Sequence, residues 1–298
     1  MKYSTKLIIA LVLIYIFWGS TYYAIKVGTE NVLPFIFCAI RFFIGGIILF
    51  LVTLPFYGLP QWKAFIGSFV LGISMVGIGT NTVSYSIQYL PTGIVATLVA
   101  MLPFWISVMD YLFFSHKKPS TLSALGMLLG FIGIVILVNP FSDLEISSLG
   151  IFPILVVFAG SICWSIGTLK SPSITQCMGW QSTAVQLLGA SLISLVFSLA
   201  LETNGISSLN NMTSTTYLAI AYLVVFGSYV GYSAFLWLIK NASPLLSTTY
   251  AYVNPLVAII IGAIIGGEYL EPRVLIACMI ILSGVILLII GRRKFSLT

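Results

Sequence analysis

Charge is what this chain has least of. Only 7% of its 298 residues are charged, and seven are acidic. Soluble globular domains carry about a quarter charged residues, so a soluble domain is excluded. Histidine occurs once, at position 116. The four cysteines, Cys38, Cys163, Cys177 and Cys278, have no paired spacing, which excludes a disulfide framework and a thiolate metal site. They read as small apolar packing residues. There is no His-Glu-x-x-His, no Gly-x-Ser-x-Gly and no pair of aspartates within an apolar stretch. Hydroxyls without a base supply no catalytic constellation, so neither an enzyme nor a cofactor is expected. The net charge of +6 is not gathered into a basic, aromatic-interleaved patch, which excludes nucleic acid as a partner.

Apolar sequence is what is abundant, at 59% of residues. Ten stretches run roughly over 7–27, 33–54, 64–86, 91–113, 121–138, 149–169, 181–200, 216–239, 244–266 and 274–291. Each is close to the ~20 residues that a helix needs to cross a bilayer. With the N-terminus inside, Lys2, Lys6, Lys63, Lys117, Lys118, Lys170, Lys240, Arg292, Arg293 and Lys294 fall on the cytoplasmic side. Only Lys26 and Arg273 fall outside, together with Glu30, Asp143, Glu145, Glu202, Glu268 and Glu271. Basic residues accumulate in short cytoplasmic loops, so this bias predicts an all-α polytopic membrane protein with both termini cytoplasmic. The first stretch is too long for a signal-peptide core, and no small-x-small cleavage site follows it.

The chain reads as one half written twice, with the boundary near 143–144. Thr97 and Pro103 in the fourth stretch correspond to Thr249 and Pro255 in the ninth, and Pro119 corresponds to Pro272. Trp18-Gly19-Ser20-Thr21 is loosely echoed by Trp164-Ser165-Ile166-Gly167-Thr168. Five helices is an odd number, so the second copy enters from the opposite side. Residues 1–143 and 144–298 are therefore expected to be inverted five-helix repeats, an arrangement of secondary transporters that places the binding site near the midplane.

Phe17-Trp18-Gly19-Ser20-Thr21-Tyr22, Arg41-Phe42, Pro91-Thr92-Gly93 and Pro255 resemble the motifs of the drug/metabolite transporter superfamily, and within it the ten-helix EamA type. The resemblance covers essentially the whole chain. It implies a transporter whose central cavity is lined by helices one, three, four, six, eight and nine, moving small solutes, often outward.

Polar groups in hydrocarbon turn inward, toward other helices or a wet cavity. At helical spacing Asn81, Ser84, Tyr85 and Gln88 share one face of the third span. Trp18, Thr21 and Tyr22 cluster in the first, Tyr229 and Tyr232 in the eighth, and Tyr250 and Asn254 in the ninth. With Thr97 and Trp164 these are the candidate cargo-binding residues, the alternative being hydrogen-bond glue between helices. Pro103 and Pro255 are expected to free backbone carbonyls at mid-depth and to act as hinges. Arg41, within the second span, either snorkels to the surface or has a structural hydrogen-bonding role, or else serves a cargo carboxylate or a gate. Asp110 is either an interfacial acid or a proton-coupling group. Trp62, Trp180 and Tyr217 read as anchors at the bilayer surface. Gly126, Gly130, Gly133 and Gly284 read as packing surfaces. With no mid-span acid for cationic drugs and one cation for phosphates, neutral or zwitterionic amino-acid-like or aromatic cargo is expected. Lipid flipping and multidrug efflux on the same scaffold are the alternatives. The partners are the bilayer and a small solute, the assembly a monomer or homodimer.

Overall fold

A computed structural model describes residues 3–90, 95, 98–138, 151–257 and 272–293. Thr97, the 91–93 motif, Asp143, Glu145, Glu268 and Glu271 lie outside the described residues, as do the side chains of Tyr22 and Cys278. Among the described residues every regular element is a helix. That follows from the composition, because a segment in hydrocarbon has to satisfy each backbone group internally.

Among the described residues six helices are long and apolar enough to cross a membrane. They are α1 (Tyr3–Gly28), α2 (Pro34–Tyr57), α3 (Trp62–Ser86), α6 (Ile151–Lys170), α7 (Gly179–Leu201) and α8 (Ser214–Asn241). Shorter pieces complete the order: α4 (Leu102–Phe113), α5 (Thr121–Val138), α9 (Pro244–Ser247, then 250–257 after a break at 248–249) and α10 (Pro272–Arg293). The outward faces are apolar. On α10, Ile276, Met279, Leu282, Ile286 and Ile290 recur at helical spacing and are all exposed, as a lipid-facing stripe requires. Trp62, Trp180 and Tyr217 stand exposed on the first turns of α3, α7 and α8.

Helix α2 packs antiparallel on α7, and α5 on α10. The start of α2 meets the end of α7, where Glu202 accepts from the Phe35 and Ile36 amides at 2.7 and 3.1 Å. At the other end, Gln181 Nε2 donates to the Gly58 carbonyl at 2.7 Å. The start of α5 likewise meets the end of α10, through Ser120 Oγ and the Gly291 carbonyl. Between α5 and α10 the backbones touch. A Cβ on Gly126 would stand 2.7 Å from the Gly284 carbonyl oxygen, and one on Gly284 would stand 2.7 Å from the Gly130 nitrogen. Small residues permit this approach, which drives helix association where lipid and protein are equally apolar.

Helix α7 holds the centre by hydrogen bonds that its sequence does not advertise. Its buried polar residues reach three neighbours: Ser194 to Asn81 at 2.6 Å, Ser191 to the Ala39 carbonyl at 2.9 Å, and Thr183 to Ser233 at 3.0 Å. Helix α2 opens with Leu33 and Pro34 and has no side-chain cap of its own, so Glu202 supplies one from α7, with Ser198 bonded to the same carboxylate at 2.6 Å. Charge-assisted caps of this kind contribute about 1–2 kcal/mol. Glu202→Ala is therefore expected to lower the unfolding temperature measurably, and Glu202→Gln less so, in a heat-challenge assay of the purified protein.

Two helices depart from α-geometry at equivalent places. Ile73–Ile78 in α3 and Leu223–Tyr232 in α8 are π-helical. Such widened turns rotate the following face and leave carbonyls free for other donors.

Candidate functional site

A cavity of about 130 Å³ lies between α1, α2, α3, α6, α8 and α9. Trp18, Thr21 and Ile25 of α1 line it, with Arg41 and Phe42 of α2 and Val76, Gly79, Thr80 and Val83 of α3. From the other half come Ser161 and Trp164 of α6, Gly227, Ser228 and Tyr232 of α8, and Tyr250 and Asn254 of α9.

Trp18 sits in an aromatic cluster. Its ring centroid is 4.7 Å from Tyr250, 5.3 Å from Phe235, 5.8 Å from Trp164 and 6.4 Å from Tyr232. The two tryptophans are seated in related ways. Trp18 lies against Gly231 of α8, where an added Cβ would stand 2.6 Å from its Nε1. Trp164 lies against Gly79 of α3, where an added Cβ would stand 2.7 Å from its Cε3. Gly79 and Gly231 occupy matching positions just past or within the two π segments, so each half supplies the glycine that seats the other half's tryptophan.

The pair differs in one respect. Trp18 Nε1 donates to the Gly227 carbonyl at 2.8 Å, inside a π segment. Trp164 Nε1 is buried and has no partner among the described residues. Asn254 Oδ1 is also buried and unpartnered, as are Nε and Nη1 of Arg41. The Arg41 side chain is 6% exposed and turns its guanidinium over the Phe42 ring, 4.8 Å from the centroid, rather than out to a surface. Arg41 therefore does not snorkel to a surface but stands in the cavity wall.

Several candidates stand elsewhere. Asn81 is buried on the opposite side of α3, donating to the Gly77 carbonyl at 2.8 Å and to Ser194 at 2.6 Å. Tyr85 stacks with Phe35 and Tyr89 away from the cavity, at 6.1 and 4.8 Å. Ser84 meets Cys38 of α2, and Gln88 is exposed. Asn81 and Ser84 of the expected polar stripe thus face interhelical seams, and the cavity face of α3 is the mostly apolar Val76, Gly79, Thr80 and Val83. Tyr229 donates to the Gly45 carbonyl at 2.9 Å and lines a separate crevice between α1 and α8. Asp110 sits on the last turn of α4, with Ser115 Oγ 2.7 Å from its carboxylate. It lies eight residues beyond Leu102 at the cavity, about 12 Å along the helix.

Pro103 does not interrupt a helix as the sequence led one to expect. It stands in the first turn of α4 after a break at 100–101, where a helix needs no amide from it. Pro255 is buried within 250–257. The freed carbonyl that meets a cavity side chain comes instead from the π segment at Gly227, which no residue type in the sequence marks.

Known proteins place the chain. The EamA-like transporter family matches it twice, over residues 5–139 and 151–290. An uncharacterized inner membrane transporter of Escherichia coli strain K12, YedA, is 32% identical over 96% of this chain and 91% of its own length. The uncharacterized transporter YvbV of Bacillus subtilis strain 168 is 24% identical over 95% of this chain and 92% of its own. A solved crystal structure at 17% identity superposes with a TM-score of 0.76, covering 97% of this chain and 98% of the other, which shows a common fold. With both halves matched and YedA similar across nearly the full length, this multi-pass membrane protein belongs to the EamA-like transporter family.

Proposed function

We propose that the chain is a secondary-type transporter that exports small organic metabolites, neutral or zwitterionic and amino-acid-like or aromatic, across a bacterial inner membrane. Two inverted five-helix repeats, residues 1–143 and 144–298, make ten crossings with both termini in the cytoplasm, and they rock about the central cavity. The antiparallel packing of α2 on α7 and of α5 on α10 supports the inversion. The outward direction rests on the resemblance to the family.

One observation carries the reading. Trp18 on Gly231 and Trp164 on Gly79 put equivalent contacts on the two sides of one cavity. Exchanging which contact is tight and which is open converts an outward-facing state into an inward-facing one without new machinery. Gating then consists of an aromatic ring moving over a glycine.

Uptake of a radiolabelled amino-acid panel into proteoliposomes, with and without a pH gradient, tests this. Saturable uptake is expected, falling about tenfold or more in Trp18→Ala, since truncating this partly buried indole removes about 2 kcal/mol or more of contact. Uptake of none of the panel, together with scrambling of labelled lipid, would replace solute transport by lipid flipping.

A further inference from the structure

The crevice between α1 and α8 that Tyr229 lines is larger than the central cavity, about 360 Å³ against about 130 Å³. It lies in the outer wall, where Lys6, Ile9 and Trp180 on its rim are exposed. Helical spacing explains its walls. Lys6, Ile9, Ala10 and Leu13 stand at i, i+3, i+4 and i+7 on α1, and all of them line it. Ser233 and Trp237 line it from α8. Lys240, at i+7 from Ser233, continues that face at the exposed end of the helix. From Trp237 down to Tyr229 the crevice runs eight residues, about 12 Å.

The crevice is charged at one end only. Deep inside, the Tyr229 hydroxyl donates to the Gly45 carbonyl at 2.9 Å and the Ser233 hydroxyl lies 3.0 Å from that of Thr183, so both are already engaged. What remains there is hydrocarbon wall, from Ala10, Leu13 and Val230. The mouth carries Lys6, with Lys240 three residues beyond Trp237. Trp180 and Trp237 supply indoles at the same end, the ring that settles at headgroup level in a bilayer. No acid occurs anywhere in α1, α7 or α8, so these helices offer the mouth no counter-charge. A groove in the wall of a membrane protein takes up hydrocarbon, since an empty one forfeits contacts on both sides. Cations at its mouth select the head that the hydrocarbon carries.

From this we infer that the crevice holds one anionic phospholipid as a resident ligand. An acyl chain lies between α1 and α8, and the phosphate is bound by Lys6 and Lys240. With both termini cytoplasmic, as proposed above, the mouth faces the leaflet whose negative surface attracts basic groups, each contributing about fivefold in affinity. The lipid is a strut and not cargo. Tyr229 and Val230 meet it on the outer side of the π segment whose inner side, at Gly227 and Ser228, lines the central cavity. It thereby ties α1 to the widened turn that holds the Trp18 indole.

The test is native mass spectrometry of the purified full chain in detergent, titrated with dioleoyl phosphatidylglycerol or dioleoyl phosphatidylcholine, beside unfolding temperature. Wild type is expected to retain one phosphatidylglycerol, to bind it about tenfold or more above phosphatidylcholine, and to unfold at higher temperature with it bound. Lys6→Gln or Lys240→Gln alone is expected to lower phosphatidylglycerol affinity about fivefold, and the double variant to lose the preference. Both lysines are exposed, so the variants keep the fold. Lys117→Gln, at an exposed cation in the loop between α4 and α5, is expected to change neither affinity. Ala234→Leu fills part of the crevice and is expected to weaken both lipids alike.

Equal affinity of the wild type for the two lipids, a preference undiminished in the double variant, or an equal loss in Lys117→Gln would each overturn the inference, the last by showing diffuse attraction in place of a site. A doubled mass that excludes lipid would overturn it in favour of a second copy of the chain seated on this face. Detergent removes both leaflet and transport from the measurement. Failure there strikes the crevice and leaves the transporter reading standing, whereas lipid bound as expected beside absent solute uptake does the reverse.

Discussion

Gly231→Ala and Gly79→Ala are each expected to stop transport while leaving the protein folded. The added methyl at 231 would stand 2.6 Å from Trp18 Nε1 and 2.7 Å from Cδ1. At 79 it would stand 2.7 Å from Trp164 Cε3. The indoles cannot give way easily, because Trp18 is flanked by Trp164, Phe235 and Tyr250 and is bonded to the Gly227 carbonyl. Overpacking of this kind costs about 1–3 kcal/mol. Applied to one of two states that have to interconvert, that cost slows exchange by about one to two orders of magnitude. The measurement is exchange rate in proteoliposomes beside elution profile and unfolding temperature. Because the two halves seat each other's tryptophan, both variants are expected to fail alike. A large loss in one and none in the other would mean that the cavity is gated from one side only.

The second large effect is on stability. A Cβ at Gly72 would overlap the Gln186 carbonyl, and one at Gly189 would overlap the Phe69 carbonyl, so α3 and α7 are in backbone contact there. Neither obstacle is a flexible side-chain end. Gly72→Ala is expected to cost about 2–3 kcal/mol by forcing the helices apart, a fall of about 4–12 °C in unfolding temperature. The same substitution at Gly45 provides the contrast, since its Cβ would find Val224 and Leu187 at 3.4–3.6 Å, which is ordinary contact. Gly45→Ala is expected to leave the unfolding temperature within about 2 °C of wild type. Equal effects at 72 and 45 would mean that general helix flexibility, not close approach, explains these glycines.

The polar stripe on α3 shows how far sequence reading reaches. The spacing of Asn81, Ser84, Tyr85 and Gln88 suggests one face, yet Asn81 and Ser84 meet α7 and α2, and Gln88 lies past the helix end in an exposed turn. Spacing identifies residues that share a face but not what the face looks at. In hydrocarbon an asparagine is equally well satisfied by a neighbouring serine or by cargo. The apolar Val76 and Val83, with Gly79 between them, gave no reason to be chosen, although they form the cavity wall. Trp18, Thr21, Trp164, Tyr232, Tyr250 and Asn254, picked out as aromatic or polar side chains within apolar spans, do stand in the cavity wall. Arg41 was legible as an oddity and illegible as a cavity residue, since a side chain of that length can turn either way.

Sequence alone determined the membrane class, the spacing of the apolar helices and the duplication of the chain. A helix satisfies its own backbone in hydrocarbon within one apolar segment, so membrane helices are written residue by residue. Tertiary structure decided which face of each helix looks inward. It also decided that Trp18 spends its N–H on the widened turn at Gly227, whereas Trp164 keeps its own unspent. The reason is that a π turn is a backbone state stabilised by its neighbours, and a hydrogen bond across a helix interface belongs to two distant segments at once. Neither leaves a local mark on the chain that forms it.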